Sequence, residues 1–352
     1  MKLILNVLGV AVILFLMWLL SYKKKNVQIK IVIKGLIVEL IVAFILVKMA
    51  AAVFLAVAFV AGEGCMIWYL LKGIGEKTSL RLCISYSFIG FFFSGITPSA
   101  TGGQPMQLYY MKKDGNSLSS ASVVLVTVAI MYKFVLALTG IGILLFGRKS
   151  LKNYFQGYGW LYLLGLLLNI VVIAVLILVM LSPGIIKAAF FKTEEFLIHL
   201  RVWKKSEIRK NKMERFLSGY QETVCFLRNH KKMIGAVAIG TFAQRFSAFL
   251  LTYVIYRGLG LHGFSMWDIV WLQASVYIAV DMLPIPGAQG ITEAMFQSVF
   301  ESIFTKQYLV ASICISRGIS FYLIMLLGFV VVFYRHGTQK LSGTAQKEER
   351  IN

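Results

Sequence analysis

Proline is nearly absent from this chain: there are five in 352 residues, and Pro98, Pro105, Pro284 and Pro286 fall in two short stretches. Because proline cannot continue a helix, its scarcity elsewhere leaves the rest of the chain free to run in long helices. Charge is scarce as well, at 14% of residues against 59% hydrophobic, where a soluble domain carries about a quarter charged. That excludes an ordinary soluble globular protein. Acidic residues are rarer still, 15 against 36 lysines and arginines, for a net charge of +21. In a polytopic membrane protein such an excess belongs in cytoplasmic loops, so no nucleic-acid partner is needed to explain it. The four cysteines (Cys65, Cys83, Cys225, Cys314) and four histidines (His199, His230, His262, His336) are scattered, without CxxC spacing. Neither a disulfide framework nor a metal site follows, and no cofactor is implied. Gly-x-Ser-x-Gly, P-loop and HExxH motifs are missing, so no catalytic residue is assigned.

What the chain has instead is apolar length. The runs Leu3 to Leu20, Leu36 to Val60, Leu118 to Phe146, Trp160 to Leu181, Met233 to Tyr256 and Tyr308 to Tyr334 each suffice for a helix across a hydrocarbon core of about 30 Å. Two shorter runs, Leu82 to Ile96 and Met266 to Leu283, end at the proline-rich stretches. The expected fold is an all-α polytopic integral membrane protein of about seven to nine membrane segments, two of them broken by Pro and Gly and open to a re-entrant course. Lys2 and the first apolar run resemble a signal peptide, but "SYKKKNVQIK" follows in place of a small-residue cleavage site, so a retained first helix is expected. Trp18, Tyr22, Trp68, Tyr69, Trp160, Trp267 and Trp271 lie near the ends of runs, where interfacial aromatics belong.

The polar segment 185–232 holds twelve Lys/Arg against five Glu and is expected to be cytoplasmic. Its apolar residues recur three and four apart, which fits amphipathic helices on the bilayer surface and equally a linker helix packed on its neighbour. The segment divides a first membrane half, 1–184 with a break at 97–105, from a second, 233–334 with a break at 284–290, followed by a cytoplasmic tail, 335–352. Counting outward from it places "MKKDGNSL" inside, "FGRKSLKNYF" outside despite Arg148, Lys149 and Lys152, and the amino terminus outside, with the broken segments supplying the remaining passes.

The two breaks repeat one logic. Thr97 and Pro98 end a helix, Gly102 and Gly103 allow close backbone approach, and Gln104 with Pro105 restarts a helix. Pro284, Pro286, Gly287 and Gly290 do the same later, and Thr292 and Glu293 suit the first turn of the next helix. Backbone that is not helical at membrane depth must be buried in protein or line a polar cavity, so the breaks are expected to face each other or a cavity, their helix amino termini offering a site to a lipid phosphate. Tight turns at the membrane surface are the alternative. Among residues with charge in apolar surroundings (Glu39, Lys48, Glu63, Lys133, Arg245, Asp281, Glu293, Arg317), Asp281 and Glu293 bracket the second break and suit a cationic head group. Arg245 and Arg317 suit a phosphate. For any one of them, snorkelling or structural pairing is the competing role.

"ITPSATGGQPMQLYYMKKDG" and "LPIPGAQGITEAMF", each after an apolar run, resemble the paired signatures of the lysylphosphatidylglycerol synthase transmembrane-region family, the membrane half of bacterial multiple peptide resistance factor proteins. The resemblance runs from about Leu3 to Tyr334. Many relatives carry an acidic residue and an arginine where this chain has Gln104 and Gln107. The resemblance implies a flippase-like function in the bacterial cell membrane: movement of aminoacylated phosphatidylglycerol to the outer leaflet, hence resistance to cationic antimicrobial peptides. Its implied partners are an anionic or aminoacylated phospholipid, and a separate synthase or a second copy of the chain. The family name also carries a phosphatidylglycerol lysyltransferase activity, which alone would bring a nucleic acid, lysyl-tRNA; the longest polar stretch is too short for a soluble transferase domain. A non-transporting membrane scaffold is the remaining alternative.

Overall fold

The computed structural model describes residues 49–147, 159–200, 206–283 and 285–348, with side chains for all but 99 and 338–348. The run Leu3 to Leu20, Glu39, Lys48, the Arg148–Lys152 segment and Pro284 lie outside the described residues. Helices account for the secondary structure among the described residues, and no strand occurs there. In chain order they are α1 (Ala50–Ile74), α2 (Leu80–Ile96), α3 (Gly103–Lys113), α4 (Leu118–Phe146), α5 (Gly159–Leu181), α6 (Pro183–His199), α7 (Glu207–Asn229), α8 (Lys231–Gly258), α9 (Met266–Val280), α10 (Ile291–Phe300), α11 (Lys306–Arg317) and α12 (Ile324–Glu348). A π-helical segment, Gly318–Leu323, joins the last two. Serine hydroxyls start several of them: Ser79 accepts from the amide of Leu82, Ser117 from Ser120 and Ser265 from Asp268.

Five of these helices are long and apolar enough to cross a membrane: α1, α4, α5, α8 and the continuous Lys306–Gly337. The apolar α2 and α9 are shorter and do not cross. α2 ends at Thr97, whose extended backbone (φ −108°, ψ 144°) is what a following proline demands, and α3 returns along it. The return is fixed by Gln107 of α3 against Gly90 of α2, and by the Tyr86 hydroxyl donating to Asp114 at 2.6 Å near the other end. The base closes where the amide of Ser117 donates to Glu76 Oε1 at 3.2 Å. α9 and α10 make a second hairpin, whose two ends flank Tyr256 at the end of α8 through Phe264 and Phe304.

The hairpins enter from opposite faces. The first is based where Gly73 of α1 meets Met233 of α8 and where Ser119 of α4 donates to the Phe216 carbonyl of α7 at 2.9 Å. The second is based at the far end of α8. Because α1 and α8 run antiparallel, with Met66 against Thr241 and the Gln244 amide donating to the Phe59 carbonyl at 2.7 Å, the series α1, hairpin, α4 is repeated upside down by α8, hairpin, α11–α12. The exchange is reciprocal: α4 packs on α9 of the second hairpin and α12 on α2 of the first. Small residues permit the closest approaches. A Cβ on Gly64 would stand 2.5 Å from the Ile84 Cα, and one on Gly328 2.7 Å from the Phe88 carbonyl oxygen.

This arrangement changes the sequence-based topology. The broken segments return to the face they left and contribute no net pass, so the turn after Ile74 lies on the same face as Lys112 and Lys113 and not across from it. The apolar run that ends at Val60 continues as helix to Ile74, and Glu63, just beyond that run, is accommodated inside the bundle by the side-chain amide of Gln107 at 2.7 Å. In the basic segment, α7 buries Leu217, Tyr220, Val224 and Leu227 against the bundle, whereas Phe196 of α6 and Leu200 just after it are exposed. The packed-helix alternative weighed for this segment therefore holds for α7. Single cysteines at Lys113, Lys210 and Lys306, in a background freed of the native cysteines, should react from one face for the first two and from the opposite face for the third. Labelling of positions 113 and 210 from different faces would rule out the fold-back of the first hairpin.

Candidate functional site

The two tips meet. The 3-10 turn Pro98–Ala100 packs against its counterpart Pro286–Ala288. Both lie at mid-depth, since Gly95 beside the first tip abuts Phe321 near the middle of Lys306–Gly337, and Asp281 at the start of the second break pairs with Lys133 near the middle of α4. Pro98, Ala100, Thr101, Gln104, Pro286, Gln289 and Gly290 are exposed at that depth. Lipid offers such backbone no hydrogen-bond partner, so this surface requires polar company.

The turns are matched in detail. Ala100 (φ 54°) and Ala288 (φ 48°) are the non-glycine residues with left-handed backbone among the described residues. Each stands third in a Pro-x-Ala-x-Gly segment, Pro98 to Gly102 and Pro286 to Gly290. A left-handed alanine costs about 1–2 kcal/mol, and strain of this kind gathers at functional sites. The shared pattern is visible in the sequence and would have aligned the breaks directly.

At the first tip the Thr97 hydroxyl donates to the Phe93 carbonyl at 2.6 Å and accepts from the Gly102 amide at 2.9 Å. Gly102 is right-handed (φ −78°), so its lack of a side chain matters for space: a Cβ would lie 2.6 Å from Thr97 Cγ2. Gly103 is buried against Ser94 and the Gly90 carbonyl. Gln104 and Pro105 face outward, while Gln107 is buried and donates to Glu63.

At the second tip, charges are satisfied from within. Glu293 Oε2 accepts from the Gly290 amide at 2.6 Å, capping α10, and Oε1 accepts from Arg317 Nε at 2.6 Å. Arg317 Nη2 also donates to the Gly287 carbonyl at 3.0 Å. Arg317 is the last residue before the π-helical segment, a local widening that often marks functional positions, and Phe321 within that segment lies under Gly287. An anion at the α10 amino terminus would meet the Glu293 carboxylate, which already answers the helix dipole there. Asp281 is likewise engaged, accepting from the Tyr132 hydroxyl and from Lys133.

The structure thus brings Thr97, Pro98, Gly102 and Gly103 together with Pro286, Gly287, Gly290, Glu293 and Arg317, and sets Asp281 beside them. Arg245, on α8, makes no direct contact with the tips and stacks on Phe59 of α1 and on Tyr132 of α4, the ring whose hydroxyl bonds Asp281. Tyr132 and Phe321 were not singled out by sequence, and Lys133 and Gln107 were named there without these partners, because the contacts that give all four a role join residues far apart along the chain. The family described as lysylphosphatidylglycerol synthase TM region matches residues 6–328. The chain belongs to that family. No curated protein matches it. The match of this lysylphosphatidylglycerol synthase TM-region protein covers both hairpins and the π-helical segment, so the meeting tips lie wholly inside the family's own region.

Proposed function

We propose that this protein moves a phospholipid with an amino-bearing polar head group, of the aminoacylated phosphatidylglycerol class, between the leaflets of the bacterial cell membrane. The observation that carries this is the meeting of two strained, exposed hairpin tips at mid-depth in an inverted repeat. A head group crossing a bilayer has its highest energy at the centre, where water is absent and a bare charge costs many kcal/mol. Polar backbone and fixed charges at that depth lower this barrier, and an inverted repeat lets the same site open to either face by rocking one half against the other. The basic face of α6 and α7 is then cytoplasmic. Delivery of lysyl-lipid to the outer leaflet reduces its negative charge, which is the basis for a role in resistance to cationic antimicrobial peptides.

The test is reconstitution. In vesicles containing lysylphosphatidylglycerol labelled on an acyl chain, the inserted protein should accelerate exchange between leaflets well above protein-free vesicles, and an unchanged rate would remove the transporter reading. The same preparation given lysyl-tRNA and phosphatidylglycerol should yield no lysyl-lipid; robust product would assign the protein a transferase activity instead.

A further inference from the structure

Of the charges that the sequence places in apolar surroundings, the described residues include Glu63, Asp281 and Glu293 against Lys133, Arg245 and Arg317, formally neutral in sum. Four are paired, as Lys133 with Asp281 and Arg317 with Glu293. The two left over are Glu63 and Arg245. Arg245 is only 4% exposed, its Nε has no hydrogen-bond partner, and no carboxylate among the described residues lies within 4 Å of it. It is held instead by two ring faces, its guanidinium carbon 3.7 Å from the ring centre of Tyr132 and 4.4 Å from that of Phe59. Glu63 is one helical turn beyond Phe59 on the same face of α1. Its Oε1 accepts from Gln107, while Oε2 takes no hydrogen bond from the described residues and is not sealed from the surface.

A guanidinium kept at mid-depth with no carboxylate in ion-pair contact is costly, and the Glu63 carboxylate, one turn from its ring support, meets that charge only at a distance. We propose that Glu63 and Arg245 form one recognition site for a head group in which a phosphodiester and an ammonium lie a few ångströms apart, the phosphodiester taken by Arg245 and the ammonium by Glu63. Arg245 offers the planar fork of donors that matches phosphate oxygens, and the rings of Phe59 and Tyr132 fix its plane. The local sum of charges gives the selectivity. A head group carrying both charges satisfies both unpaired residues and leaves the core neutral. Phosphatidylglycerol, which lacks the ammonium, would add one net negative charge at a depth where that is expensive and leave Glu63 unanswered. Phosphatidylethanolamine supplies one phosphodiester and one ammonium and meets this sum, whereas lysylphosphatidylglycerol supplies the same two groups and brings a second ammonium, leaving one net positive charge. This site rests on the lipid-transporter reading above and names what that transporter would hold.

The two can be tested separately with the intact protein. Binding of acyl-labelled phosphatidylethanolamine, lysylphosphatidylglycerol and phosphatidylglycerol is measured in detergent, and leaflet exchange of the same probes in phosphatidylcholine vesicles. The amino lipids should bind about tenfold or more tighter than phosphatidylglycerol, the scale of one charge-assisted contact. Failure of one amino lipid to bind assigns the site to the other; failure of both overturns the proposal. Glu63→Gln keeps the shape and the Gln107 contact, so it should melt with the parent while losing the preference for amino lipids. Arg245→Gln should weaken all three probes, and Arg245→Lys should recover part of the loss. If Glu63→Gln keeps the full preference, Glu63 does not read the ammonium and the proposal fails, even where exchange is fast. Selective binding that depends on both residues, without accelerated exchange, would instead refute the transporter function and leave the site standing.

Discussion

Gly103→Val is expected to prevent accumulation of correctly inserted, monodisperse protein, whereas Gly287→Val should insert well and lose most transport. The two glycines look alike in sequence, one in each break, yet their surroundings differ. A Cβ on Gly103 would run into the Ser94 hydroxyl and stand 2.7 Å from the Gly90 carbonyl oxygen. The serine can rotate away, but the carbonyl belongs to the backbone of α2, so the added carbons must push α3 off its partner. Overpacking of this kind costs about 1–3 kcal/mol in a core that can shift, and more where backbone faces backbone. The separation of α2 and α3 also positions Gln107, which supports Glu63. At Gly287 the obstacle is Phe321, whose Cε2 would be 2.5 Å away, together with a left-handed backbone (φ 58°) that costs a branched residue more than about 1 kcal/mol. A ring next to an exposed turn can swing aside, so the fold survives while the tip is displaced. Monodisperse yield and melting temperature, followed by leaflet exchange normalised to inserted protein, distinguish the two. Gly103→Val that inserts and melts like the parent would mean that the hairpin tolerates separation and that its tip is not set by this contact.

Much of this architecture is legible in the sequence because proline and glycine act locally. Thr97-Pro98 and the glycines that follow stop one helix and start another whatever surrounds them, and Ser79, Ser117 and Ser265 mark helix starts by the same local rule. The direction in which the chain leaves a break is not local. "GQPMQLYYMKK" reads as an amphipathic continuation and gives no sign that it folds back on Leu80–Ile96, since what turns it is the fit of Gln107 to Gly90 and of Asp114 to Tyr86. Charges are also easy to find at depth and hard to assign. Asp281, Glu293 and Arg317 bracket a break and so look available to a ligand, yet each is taken by a partner supplied from another helix or from the neighbouring turn. Arg245, equally visible and without any break beside it in the sequence, has no ion-pair contact among the described residues. Which charges are spent depends on packing between distant segments, and composition and spacing do not report it.

That distinction makes opposite predictions for the two kinds of charge. Lys133→Met should destabilise the protein strongly, by about 3–5 kcal/mol, because it strands the Asp281 carboxylate in the middle of the bundle with only the Tyr132 hydroxyl to hold it. Asp281→Asn should do comparable damage by leaving the Lys133 ammonium without its anion. The double variant Lys133→Met with Asp281→Asn removes both charges and keeps a polar group for Tyr132, so it should return to within about 1 kcal/mol of the parent, as replacement of a whole buried pair commonly does. Since the pair pins α4 to the second tip and does not hold the lipid, leaflet exchange should recover with stability. Glu63→Gln should show the reverse, with parental melting and altered lipid preference. Thermal unfolding in detergent and exchange in vesicles, measured on the same four proteins, give the decision. A double variant that regains its melting temperature but not its transport would show that the Lys133 and Asp281 charges take part in moving the lipid, and the division between pinning pairs and a reading pair would then be wrong.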